Sequence, residues 1–110
     1  MRLPNAEHAT IDEGKVRDYL LSRSHPVGRF KAAFLARGGF NSDNASLLIT
    51  ELLDLAAHGE CQLGEATEYG QKYLISGILC GPGGKTLEVT TVWILPNPAG
   101  VPRLVTVYPR

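Results

Sequence analysis

At 110 residues, 44% of them hydrophobic and 2 of them cysteine, the chain can bury a single core without metals or disulfide staples. Eleven Lys and Arg balance eleven Asp and Glu, so no global charge draws it to nucleic acid or to an anionic membrane. No apolar run approaches a bilayer span and no signal-peptide pattern opens the sequence, which sets the expectation of a cytoplasmic protein with reduced thiols.

Leu3–Thr10 reads as a polar, proline-containing arm. Asp12 then sits where a helix N-cap belongs, with Ile11 before it and Val16 four positions after it, the spacing of a hydrophobic staple. Val16, Tyr19 and Leu20 share one helical face, so a short amphipathic helix is predicted over Glu13–Leu21. His25-Pro26 opens a second helix, since proline at the first helical position forfeits only an N–H that would have been unpaired. Phe30, Ala33 and Phe34 form its predicted buried stripe. Gly38-Gly39 ends it, one glycine taking the left-handed conformation while Phe40 folds back. Asn41-Ser42-Asp43-Asn44 caps a third helix, with Leu48, Leu52 and Leu55 on one face through about Ala57, and Gly59 stops it.

Beyond Gly59 the pattern changes period. Cys61–Tyr69 is the least regular piece, and Gly64 and Gly70 limit it to an edge strand. Gln71–Cys80, Lys85–Leu95 and Arg103–Tyr108 are rich in β-branched and aromatic residues. The short Gly81-Pro82-Gly83-Gly84 and Pro96–Pro102 returns make them an antiparallel meander. Cys80 reads as a small buried strand residue. In β-alternation Leu87, Val89, Thr91, Trp93 and Leu95 face the helices, packed on Phe30, Phe34, Leu48 and Leu52. The opposite face, with Lys72, Glu88, Thr90 and Thr106, is at least partly wet. The predicted architecture is α+β: three N-terminal helices on a three- or four-stranded antiparallel meander. One domain spans 1–110, with the arm at 1–10, a helical part at 11–58 and a sheet part at 60–110.

Charge is distributed unevenly. Residues 15–37 carry six basic side chains against Asp18, and residues 43–68 carry six acidic ones with no Lys or Arg. His25 as helix cap with Arg29 one turn on and Lys31 beside it could hold an anion, and a guanidinium nearby favours neutral imidazole, a fit for a general base. A surface cap with solvent-facing cations is the plainer reading of the same residues. Thr106 and Tyr108, two apart, share a sheet face with Leu104 below them, and Arg103 flanks the start of their strand. Such hydroxyls could steady a phosphate or an oxyanion, or serve only as good strand residues. Gly81–Lys85 lacks the glycine spacing of a phosphate loop and leads into a strand. His58 and Cys61 fall short of a zinc ligand set. No metal and no cofactor are therefore read.

Leu3-Pro4-Asn5-Ala6, His25-Pro26-Val27-Gly28-Arg29-Phe30-Lys31, Val89-Thr90-Thr91-Val92-Trp93 and Pro102-Arg103-Leu104-Val105-Thr106-Val107-Tyr108-Pro109 resemble an uncharacterised bacterial domain family. That family occurs as small free-standing proteins and at the C-termini of polymorphic-toxin-like proteins. In architecture the chain is also similar to the barnase–EndoU–colicin–RelE toxin ribonucleases, which typically cleave RNA without metal. The resemblance implies His25 as base or acid, Arg29 and Lys31 neutralising the phosphate, and Thr106 with Tyr108 completing the site. Arg103 and Lys72 are the substrate-binding candidates. A partner acid would have to be His8 or His58. Two functions follow: a metal-independent endoribonuclease acting on RNA phosphodiesters, or a non-catalytic module binding a cognate antitoxin- or immunity-type protein. Oligomeric state is left open, an uncovered Arg103–Tyr108 edge favouring a second chain.

Overall fold

Residues 1–110 are described by a computed structural model. Four strands pair antiparallel in chain order: β1 (Cys61–Thr67), β2 (Gly70–Cys80), β3 (Thr86–Leu95) and β4 (Arg103–Pro109). This is the expected meander, with the irregular Cys61 stretch forming its fourth strand. Helix α1 is an α turn, Glu13–Lys15, continued by π-helical Val16–Leu20. Helices α2 (Gly28–Ala36) and α3 (Ala45–His58) follow before the sheet begins.

Local signals set the helix ends. Asp12 accepts from the Lys15 N–H at 3.2 Å and caps α1. At the end of α2, Gly39 takes φ 88° and the Phe40 N–H returns to the Leu35 carbonyl at 3.2 Å. Phe40 is then buried, the Schellman closure that Gly38-Gly39-Phe40 predicts. Asn41 and Asn44 form a reciprocal capping box ahead of α3.

Leu87, Val89, Thr91, Trp93 and Leu95 are all buried on the inner face of β3. Leu87, Val89, Trp93 and Leu95 join one 20-residue core cluster with Leu48, Leu52 and Ala56 of α3 and Val16 and Leu20 of α1. Burying an indole N–H and a threonine hydroxyl would be costly if either were unpaired. Here the Trp93 Nε1–H donates to Thr91 Oγ1 at 2.8 Å, and Thr91 Oγ1 donates to the Ile75 carbonyl at 2.9 Å. The chain of donors ends on the neighbouring strand, with both side-chain groups satisfied.

Three expectations are corrected. The buried row of α2 is Gly28, Ala32 and Leu35, whereas Phe30 is 65% exposed, Ala33 is exposed and Phe34 only partly buried. The helix carries two apolar rows, and the one with small residues lets its backbone approach α1 closely. A Cβ at Gly28 would lie 2.1 Å from the Tyr19 carbonyl oxygen. Leu104 does not share a face with Thr106 and Tyr108. The register shifts between Val92 and Trp93, and Leu104 pairs with Trp93 while Val107 pairs with Thr91. This bulge at Val105 turns both Leu104 and Val107 inward. Cys80 is exposed and Cys61 is the buried thiol, because Cys61 pairs with Ile75 on the inner face and Cys80 ends β2 beside Thr86.

Trp93→Ala is expected to cost roughly 3–5 kcal/mol, the range for removing a fully buried tryptophan, read as a lower midpoint of chemical denaturation. Wild-type emission should be blue-shifted and insensitive to a neutral quencher; a red-shifted, quenchable emission would contradict the packing described.

Candidate functional site

His25 is held by the backbone it caps. Its Nδ1 accepts from the Val27 N–H at 3.0 Å and the Gly28 N–H at 2.9 Å. The His25 carbonyl takes the first helical bond, from the Arg29 N–H at 3.0 Å. The His25 ring thus caps the turn leading into α2, but regular α2 begins at Gly28 rather than Pro26, with Val27 rather than His25 at its N-cap. With Nδ1 accepting two N–H groups, the ring proton resides on Nε2, an arrangement that presents a donor and no base. Tyr19 closes on the ring edge-to-face at 4.9 Å. No second histidine joins it: His58 pairs with Asp54 at 3.2 Å at the end of α3, and His8 lies beside Glu7.

The two α2 cations diverge. The Arg29 guanidinium stacks 4.6 Å from the centre of the exposed Phe30 ring. Lys31 instead reaches the free margin of β4, where its Nζ donates to the Val107 carbonyl at 2.9 Å and lies 5.9 Å from the centre of the Tyr108 ring. Burial lowers the Lys31 pKa, since its charge has lost water without meeting a carboxylate.

Away from the helices, the outer face of the sheet forms an ordered grid. Reading across β2, β3 and β4, the rows are Lys72–Ile94–Arg103, Leu74–Val92–Thr106 and Ser76–Thr90–Tyr108. The predicted Lys72, Arg103, Thr106 and Tyr108 therefore share one face. Ile94 is only 8% exposed there, flanked by Lys72 and Arg103, whose aliphatic stems can cover it while the charges stay wet. Ser76 and Thr90 hydroxyls bond across strands at 2.8 Å. Thr106 Oγ1 is buried with no hydrogen-bond partner, the one such side-chain atom in the molecule. Lys72 also lies 3.9 Å from Glu65.

The structure thus gathers Lys31, Tyr108, Thr106, Arg103 and Lys72 on or beside the β3–β4 half of the outer face, and leaves His25 and Arg29 on the α1–α2 side. None of the five concavities is lined by His25, Arg29, Lys31, Thr106 or Tyr108. The sheet face is open. The Arg103–Tyr108 edge is partly closed by Lys31 and by Thr10, which bridges to Arg103 in parallel.

A family model described as a domain of unknown function (DUF6883) matches residues 2–110. The chain belongs to that family. No curated protein matches it. Among solved structures, the DUF6883 chain is similar to a chain of a contact-dependent growth inhibition toxin–immunity protein complex from Klebsiella pneumoniae 342. The two are 17% identical, with a TM-score of 0.70 and 98% of each chain covered, so they share a fold over their whole length. In the DUF6883 chain no helix is long and apolar enough to cross a membrane.

His25→Ala should lower stability by about 1 kcal/mol, and His25→Asn should recover most of it, as for a cap; an unaffected Ala variant would remove the capping role. Lys31 gives a pH signature. Its folded pKa lies below the ordinary 10.5, so between the two values the unfolded chain binds more protons and stability rises with pH. The stability of wild type relative to Lys31→Met should therefore increase as pH climbs toward 10.5, measured by denaturation at fixed ionic strength.

Proposed function

We propose that this domain is the toxin component of a toxin–immunity pair, acting as an endoribonuclease that cleaves RNA phosphodiesters without a metal. The observation that carries the reading is the row of groups on and beside β4: Arg103, the unpartnered Thr106 hydroxyl, and Tyr108 with Lys31 at its margin. An orphaned buried hydroxyl is rare in folded proteins and calls for a partner. A phosphate oxygen would supply one once the side chains over Thr106 shift aside. Lys31 retains donors beyond the one given to Val107 and can neutralise charge developing on the phosphate. Tyr108 contributes a phenolic proton, and Arg103 and Lys72 hold the strand. His25 supports α2 in this reading and is not assigned to the reacting atoms. The likeness to a chain of a toxin–immunity complex, over 98% of each chain, supports a place in such a pair.

The second reading, a non-catalytic module for a cognate protein, draws on the open outer face and on exposed Leu63 and Tyr69 of the β1–β2 hairpin. Incubating the purified protein with total RNA and defined transfer RNAs, with and without chelator, separates the two. Cleavage is expected in both conditions, reduced by roughly 10²-fold or more in Lys31→Met and Tyr108→Phe, and largely kept in His25→Asn. Intact RNA throughout would favour the binding module.

A further inference from the structure

The margin of β4 next to Arg103 is closed by the arm. Thr10 donates its N–H to the Pro102 carbonyl at 2.9 Å and accepts the Leu104 N–H at 3.1 Å, making the parallel bridge between Thr10 and Arg103. Two residues on, Asp12 starts α1, and its first turn carries Lys15 over the same spot. The result is a concavity of about 330 Å³ lined by Thr10, Ile11, Asp12, Lys15, Arg103 and Leu104. Neither Lys15 nor Arg103 has a carboxylate within ion-pairing distance. The carboxylate present, Asp12, directs Oδ1 to the Lys15 backbone N–H as the helix cap.

We propose that Lys15 and Arg103, with Thr10 of the same concavity, bind a phosphate group, its source being the backbone of a single-stranded polynucleotide. Only that choice of source rests on the nuclease reading. The chemistry fits. A guanidinium presents a planar fork to two phosphate oxygens, an ammonium adds a point charge, and a hydroxyl adds a donor. The volume holds a phosphate together with several waters, each of about 30 Å³. Two cations placed together with no bonded counter-ion are a standing electrostatic cost that an anion would relieve. Burial lowers the Lys15 pKa; the Asp12 carboxylate opposes that shift, and Arg103 adds to it to a smaller extent. Position also argues for it. Arg103 and Val107 pair with Ile94 and Thr91, three residues apart on β3, so Lys31 at Val107 stands about 10 Å along the same edge, at the rise of an antiparallel strand. A chain of phosphates lying along β4 would meet both cationic points.

The test is binding, followed by NMR at the backbone amides of Thr10, Lys15, Arg103 and Leu104. Wild type is titrated in one arm with inorganic phosphate and in the other with a short single-stranded oligoribonucleotide. Both are expected to shift these amides. Lys15→Gln and Arg103→Gln should each weaken binding roughly threefold to tenfold, while Lys15→Arg should retain it. Asp12→Asn, which keeps a capping side chain, should tighten it. A response to inorganic phosphate alone would overturn the polynucleotide source. No response to either ligand, or one unchanged in the Lys15→Gln/Arg103→Gln double variant with a wild-type far-ultraviolet spectrum, would overturn the site. Because the readout is binding, absence of RNA cleavage would retire the nuclease reading and leave the phosphate site itself standing, its source then decided by the oligoribonucleotide arm.

Discussion

The buried relay from Trp93 through Thr91 to the Ile75 carbonyl is the constraint on which the rest of the domain depends. It lets the largest side chain of the core enter with its one polar atom satisfied, and it makes the β2–β3 pairing a condition of that entry. β3 is then fixed in register and in face. With its inner residues committed to the helices, the outer residues Thr90, Val92 and Ile94 are necessarily presented to the other side. The face proposed to meet RNA is therefore a by-product of how the core solves a hydrogen-bond problem.

Much of this was readable from the sequence because the relevant signals are local. The Asp12 cap, the Gly39 turn with Phe40 folding back, and the Asn41–Asn44 box each depend on residues a few positions apart. Period-two alternation placed Trp93 and its companions correctly. What could not be read depends on long-range contacts. The burial of Gly28 and Ala32 in place of Phe30 follows from contact with the Tyr19 carbonyl, which periodicity in α2 alone cannot reveal. The Val105 bulge follows from pairing with β3, and strict alternation along Arg103–Tyr108 misplaces Leu104 for that reason.

The candidate site divides along the same line. Lys72, Thr106 and Tyr108 were placed on one face by simple strand counting, whereas Arg103, which strict alternation puts opposite Thr106, joins them only through the Val105 bulge. His25, Arg29 and Lys31 were grouped by proximity in sequence, yet helical rotation separates them: His25 serves the turn below it, Arg29 lies on Phe30, and only Lys31 reaches the sheet. Lys15 and Thr10 carried no sequence signal, since they meet Arg103 only because the arm returns across 93 residues to pair with β4.

That arm does more than line a concavity. Near its beginning the Met1 carbonyl accepts the Cys61 N–H of β1. The Asn5 amide donates to the Pro98 and Gly100 carbonyls in the β3–β4 connection, Leu3 is buried in the core, and Thr10 ends on β4. Ten residues thus cross the end of the sheet from its first strand to its last. Asn5 and Thr10 find their partners in the β3–β4 connection and on β4, at sequence separations of 93 to 95, so these contacts depend on the last part of the sheet. During synthesis the Thr10 end of the arm stays undocked until β4 has emerged, whereas its Met1 end has β1 as a partner earlier.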